Sequence, residues 1–184
     1  MKYYNMKIAG CDRSLPLCPI NDTLYIGAFI ILGDPELSAN SAKELLKKVP
    51  EYDYLITAEC KGIPLAHDMA SIHGDKKYFV ARKSKKLYMS NIFETTVNSI
   101  TTAKSQTLYL DGEDAKLING KRILIVDDVI STGESIAAVE KLIENAGGTV
   151  VCKAAILAEG DAADREDIVY LEKLPLFDKD GNPL

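Results

Sequence analysis

The sequence predicts an α/β domain built on a mostly parallel, twisted sheet flanked by helices, and three observations carry that prediction. Arg122 to Val126 is a continuous apolar, β-branched run, the mark of a strand buried on both faces of a parallel sheet. Short apolar runs alternate with segments of helical spacing, which builds βαβ units. The turns after residues 58, 81 and 127 are polar and charged, and ligands of such sheets bind at the carboxyl ends of strands.

Taken in order, residues 1 to 22 read as irregular, because Cys11 to Pro19 is rich in proline. Thr23 to Leu32 is a strand candidate closed by Gly33, Asp34 and Pro35. Ser38 to Val49 reads as a helix capped by Ser38 or Asn40, with Ala42, Leu45, Leu46 and Val49 on one side. Tyr54 to Ala58 is a short buried strand, Ile63 to Ile72 a helix, and Tyr78 to Ala81 another strand. Residues 84 to 106 hold no convincing helix and are polar, which in a compact domain means a functional lid or disorder. Leu108 to Leu110 reads as a returning strand. After the run at 122, Ile136, Val139, Leu142, Ile143 and Ala146 fit one helix face, closed by Gly147 and Gly148. Thr149 to Leu157 and Ile168 to Leu171 are the last strands, Leu174 to Phe177 ends the ordered part, and 178–184 reads as a tail.

Composition narrows the class. With 184 residues, 47% hydrophobic and 27% charged, the chain suits one domain with a full core and the character of a soluble globule. No apolar run approaches the roughly 20 residues of a membrane span, and the start lacks a signal-peptide core. Cys11, Cys18, Cys60 and Cys152 show no CxxC pairing, which points to a reduced, cytoplasmic protein. His67 and His73 lie at no ligand spacing from a cysteine, against a zinc site. A net charge of −5 argues against general nucleic-acid binding.

Residues 122 to 135 concentrate the chemistry. The strand leads to Asp127 and Asp128, then to a small polar turn of Ser131, Thr132, Gly133 and Ser135, then to a helix. Carboxylates accept hydrogen bonds from sugar hydroxyls, and amides at a helix N-terminus favour a phosphate. A cis-diol close to a phosphate satisfies both, as in ribose 5-phosphate. No Lys follows Gly133 as a Walker loop requires, and GxGxxG is absent. The bland reading is a polar strand end without a ligand.

Two further turns are charged. In Glu59, Cys60, Lys61 and Gly62, the glycine permits close backbone approach and the lysine supplies a compact cation, together an anion site. Arg82, Lys83, Lys85 and Lys86 follow the strand at 78–81. A solvated run is the usual meaning of such a cluster, but it begins where a strand ends.

Residues 122 to 135 resemble the phosphoribosyl pyrophosphate signature of the type I phosphoribosyltransferases, and residues 52 to 177 follow the family order. The resemblance implies that Asp127 and Asp128 serve the ribose hydroxyls of 5-phosphoribosyl 1-pyrophosphate. It also implies that Val129, Ile130, Ser131, Thr132, Gly133, Glu134 and Ser135 wrap its 5-phosphate. The Glu59 to Gly62 turn, often strained or cis in the family, would hold pyrophosphate together with Arg82 and Lys83. Asp127, Asp128, Lys61 and Arg82 are the implied catalytic set, and Lys104 a further pyrophosphate candidate. Mg²⁺ would be bound mainly through substrate rather than in a protein cage. A hood over about 1–40 would cover the base, with Arg13 as its candidate, and a lid over 84–106 would close the site. The acceptor would be a purine, adenine or xanthine ahead of hypoxanthine or guanine, whose enzymes resemble one another in an Asp where this chain has Ser131. A homodimer is also implied, with no nucleic-acid or membrane partner. The acidic-aromatic lid motif of adenine enzymes is absent, the 95–110 stretch is closer to xanthine enzymes, and Ser99 to Gln106 with Leu108 to Leu110 also resembles the purine repressor's ligand domain. A non-catalytic regulatory protein binding the same donor is therefore the alternative.

Overall fold

A computed structural model describes residues 2–98 and 105–184. Five parallel strands form the central sheet, in the order β10 (Val169–Leu174), β9 (Thr149–Glu159), β8 (Arg122–Ile130), β4 (Tyr54–Ala58), β5 (Phe79–Ala81). Its central strand is the apolar run at 122, with Ile123, Leu124, Ile125 and Val126 all buried. Helices α1 (Pro35–Leu46) and α2 (Ile63–His73) cover one face through Leu37, Leu45, Leu65 and Met69. The other face is covered by α3 (Gly112–Ile118), by α4 (Glu134–Asn145), and by a hairpin of β6 (Phe93–Asn98) and β7 (Ser105–Leu110).

The N-terminal residues correct the irregular reading. β1 (Tyr3–Ile8) and β2 (Cys11–Pro19) form an antiparallel hairpin about Ala9 and Gly10, both at positive φ as a tight two-residue hairpin turn requires. The prolines are tolerated because Tyr3↔Pro16 and Pro19↔Tyr25 are terminal pairs of their ladders, where a missing N–H costs least. The candidate strand at 23–32 shrinks to β3 (Tyr25–Gly27), which pairs with β2 and with β11 (Leu176–Phe177). α1 starts before Ser38: Asp34 accepts from Leu37 N at 3.1 Å and Pro35 fills the first turn, while Ser38 is buried inside the helix.

Polar residues 93–98 and 105–110 pair as strands because Thr is β-branched and alternates faces. Buried Thr95 accepts from Asn145 Nδ2 at 2.9 Å, tying the hairpin to α4. Lys104 lies outside the described residues. β8 runs on through both aspartates, Asp127 opposite Ala155 and Val129 opposite Leu157. The tail folds back, with Leu184 N donating to Leu176 O at 2.9 Å and Phe177 bridging Pro183. Among the described residues, no helix is long and apolar enough to cross a membrane.

Candidate active site

The neighbouring strands β4 and β8 deliver their carboxyl ends to one cleft of about 220 Å³. Ala58, Glu59, Cys60, Lys61, Lys83, Asp127, Asp128, Val129 and Ser135 line it. Lys61 Nζ lies 2.7 Å from Asp128 Oδ2, so the turn after β4 and the acid pair of β8 form one electrostatic unit. Asp128 is almost fully buried, whereas the Lys61 side chain is 45% exposed. Asp127 Oδ1 accepts from Asp128 N at 2.9 Å. Burial first, and then the neighbouring Asp128 charge, push the Asp127 carboxyl up to about 7.

The Glu59–Cys60 peptide is cis. Glu59 accepts from Lys83 N at 3.0 Å and from Arg82 Nε and Nη2 at 3.2 and 3.3 Å. The Lys83 amide, followed by the Arg82 guanidinium, holds the Glu59 carboxyl below its ordinary value. Arg82 Nη1 also donates to Tyr88 Oη at 3.0 Å. The guanidinium is thus spent on protein partners and does not line the cleft, unlike Lys83.

Gly62 has a different neighbour from the expected ligand. A Cβ there would collide with Thr57 Oγ1 and stand 3.0 Å from Asp127 Oδ1, so the missing side chain lets the turn seat on β4 and β8. Arg13 donates to both oxygens of Asp34, Nε at 2.6 Å and Nη2 at 2.9 Å, and to Glu36 at 2.8 Å. It joins β2 to the start of α1 and lines a separate hollow on the β1–β2 hairpin.

The loop after β8 divides between two sides. Ile130 is buried in the core, Ser131 is exposed, and Ser135 faces the cleft. Thr132, Gly133 and Glu134 line a second hollow with Lys153 and Arg165. Gly133, at φ +81°, is the N-cap of α4 and supplies no side-chain cap, while Glu134 N donates to Thr132 Oγ1 at 3.5 Å in the turn before the helix. Sequence reasoning assigned no role to Glu159, at the carboxyl end of β9, or to Arg165. Burial pushes the Glu159 carboxyl up and the Lys61 charge partly offsets this. The strand-end rule that selected residues 59, 82 and 127 would have selected Glu159 as well.

Among the described residues, no group of three or more His, Cys, Asp or Glu gathers to hold a metal. The oxygen donors of Asp127 and Asp128 in the cleft suit a hard cation whose other ligands come from substrate and water.

Paired acids and a nearby lysine, gathered at strand ends beside a helix N-terminus, suit a phosphorylated sugar. The phosphoribosyl transferase domain family matches residues 32–176, and the chain belongs to that family of enzymes. A hypoxanthine/guanine phosphoribosyltransferase of Methanothermococcus okinawensis is 30% identical over 161 residues, 83% of this chain and 84% of that protein. An adenine phosphoribosyltransferase of Bifidobacterium longum is 35% identical over 143 residues, 76% of this chain and 71% of that protein. The crystal structure of adenine phosphoribosyltransferase from Thermoanaerobacter pseudethanolicus shares the fold, with a TM-score of 0.68 at 22% identity over 86% of this chain and 95% of that one.

Proposed function

We propose that this chain transfers the phosphoribosyl group of 5-phosphoribosyl 1-pyrophosphate to a purine base, releasing pyrophosphate and forming a nucleoside monophosphate for nucleotide salvage. The observation that carries this reading is the single cleft that gathers Lys61, Lys83, Asp127, Asp128 and Ser135 at the ends of β4 and β8. Asp127 and Asp128 accept from the ribose hydroxyls, and the 129–135 segment with the α4 amides receives the 5-phosphate. Lys61, Lys83 and the backbone of residues 59–62 take the pyrophosphate. Arg82 acts through Glu59, holding the turn in place.

The bond from the anomeric carbon to pyrophosphate oxygen breaks with its electron pair staying on pyrophosphate, a bond to a purine nitrogen forms, and the proton of that nitrogen passes to solvent water. Charge grows on the departing pyrophosphate, so a prearranged cationic pocket lowers the barrier without a protein nucleophile. Asp127 and Asp128 are the residues that would help hold Mg²⁺, and the chemistry it would supply there is neutralisation of the leaving group's charge. In this reading β1, β2, β3 and β11 form the hood over the base. The protein acts in the cytoplasm as a homodimer, as the family resemblance implies.

Adenine or xanthine is the proposed acceptor, ahead of hypoxanthine or guanine, on the strength of Ser131 and of the adenine enzymes among the relatives. Relatives named for hypoxanthine and guanine place those bases in the same test. Incubation with donor, Mg²⁺ and each of the four purines, following pyrophosphate, should give turnover with adenine or xanthine. Turnover only with hypoxanthine or guanine would overturn the acceptor assignment. Donor binding without turnover on any base would support the regulatory alternative instead.

A further inference from the structure

Arg165 sits behind the loop after β8, outside the cleft. Its Nε and Nη2 donate to Asp167 Oδ1 and Oδ2, each at 2.8 Å, a bidentate grip that fixes the plane of the guanidinium. Lys153 steadies the same carboxylate at 3.3 Å and reaches Glu140 on α4 at 2.8 Å. With one edge of the fork committed to Asp167, Nη1 lies against Gly133, so close that a Cβ on that residue would collide with it. Gly133 is where the backbone turns left-handed and opens α4. The Arg165 side chain is 32% exposed, so its charge is only partly screened. Glu134, on the loop itself, lines the same hollow, and Arg165 Nη1 is the group set directly against the Gly133 backbone.

We propose that Arg165 is a positioning residue for the donor's 5-phosphate: clamped by Asp167, it backs the Gly133 turn and sets positive charge behind the bound phosphate. The proposal rests on the reading of residues 131–135 as the phosphate loop. It goes further in naming a side chain from a different strand connection as the support of that loop. Arginine suits the task because the fork geometry lets one edge be anchored while the remaining nitrogen faces the backbone.

Calorimetric titration of wild type, Arg165→Gln, Arg165→Lys and Asp167→Asn with ribose 5-phosphate and, separately, with inorganic pyrophosphate tests it. Arg165→Gln should weaken ribose 5-phosphate about tenfold while pyrophosphate binding stays within about twofold. The KM for the donor should rise with little change in kcat. Arg165→Lys should recover part of the loss, since it keeps charge without the fork. Asp167→Asn keeps the cation but loosens its grip, and should shift ribose 5-phosphate in the same direction by less. That variant carries the test if Arg165→Gln does not fold. Equal weakening of both ligands, in step with a lower melting temperature of the free protein, would reduce Arg165 to a structural role and overturn the proposal. Wild type that ignores ribose 5-phosphate would overturn the phosphate-loop reading itself and this inference with it. Wild type that binds ribose 5-phosphate, alongside an unaffected Arg165→Gln, would sink only the inference.

Discussion

Asp127→Asn should make the free protein more stable near pH 8 and leave it unchanged near pH 4. The native carboxyl holds its proton up to about 7, against 3.8 for an ordinary aspartate, because it is half-buried beside Asp128. Between those values the folded chain binds more protons than the unfolded one, so stability falls as pH rises, and the cost is complete above pH 7. At about 1.4 kcal/mol for each tenfold change in proton affinity, the ceiling is about 4 kcal/mol. Asp127 is only half-buried, so solvent screens part of this and we expect about half of it, ~2 kcal/mol at pH 8. Asparagine removes the titration and keeps the oxygen that accepts from Asp128 N. Urea unfolding of both proteins without ligand, at pH 4, 6 and 8, reads the difference. For a chain of this length it corresponds to a melting-temperature gain of about 4–8 °C at pH 8. A gap independent of pH, or a variant less stable at pH 8, would refute the buried-acid argument.

Lys61→Met should lower pyrophosphate affinity about tenfold or more, and cost the free protein about 1–3 kcal/mol, because it leaves the almost fully buried Asp128 without its cation. Pyrophosphate titration that gives the wild-type constant would remove Lys61 from the site. Gly62→Ala forces a methyl into Thr57 and Asp127 and should cost about 1–3 kcal/mol in denaturant unfolding. A loss under about 0.5 kcal/mol would show that the turn yields freely. Arg13→Ala should destabilise by about 1 kcal/mol through its Asp34 and Glu36 partners, and leave the KM for the purine unchanged. A raised purine KM would return Arg13 to the base site.

Strands and helices with strong periodicity were legible in the residues. Tyr54–Ala58 and the helix at 63 stand where the pattern puts them, because a run buried on both faces admits few alternatives. The hairpin at 3–19 was hidden by its prolines, since composition cannot show that Pro16 and Pro19 fall at ladder ends. α3 was missed because seven residues carry too little periodicity, although Asp111 caps it.

At the candidate site, residue type foretold which strand ends are charged but not which charges would be spent on one another. Arg82 and Lys83 are adjacent cations, yet the fold gives the Arg82 guanidinium to Glu59 and leaves Lys83 lining the cleft. Arg13 is spent in the same way on Asp34. A cation becomes available to an anionic ligand only when no carboxylate reaches it, and that depends on contacts far apart in sequence. Lys61 lies between the two cases: it is paired with Asp128 and half exposed, so an incoming pyrophosphate competes with Asp128 for it, and winning frees that carboxylate for the sugar.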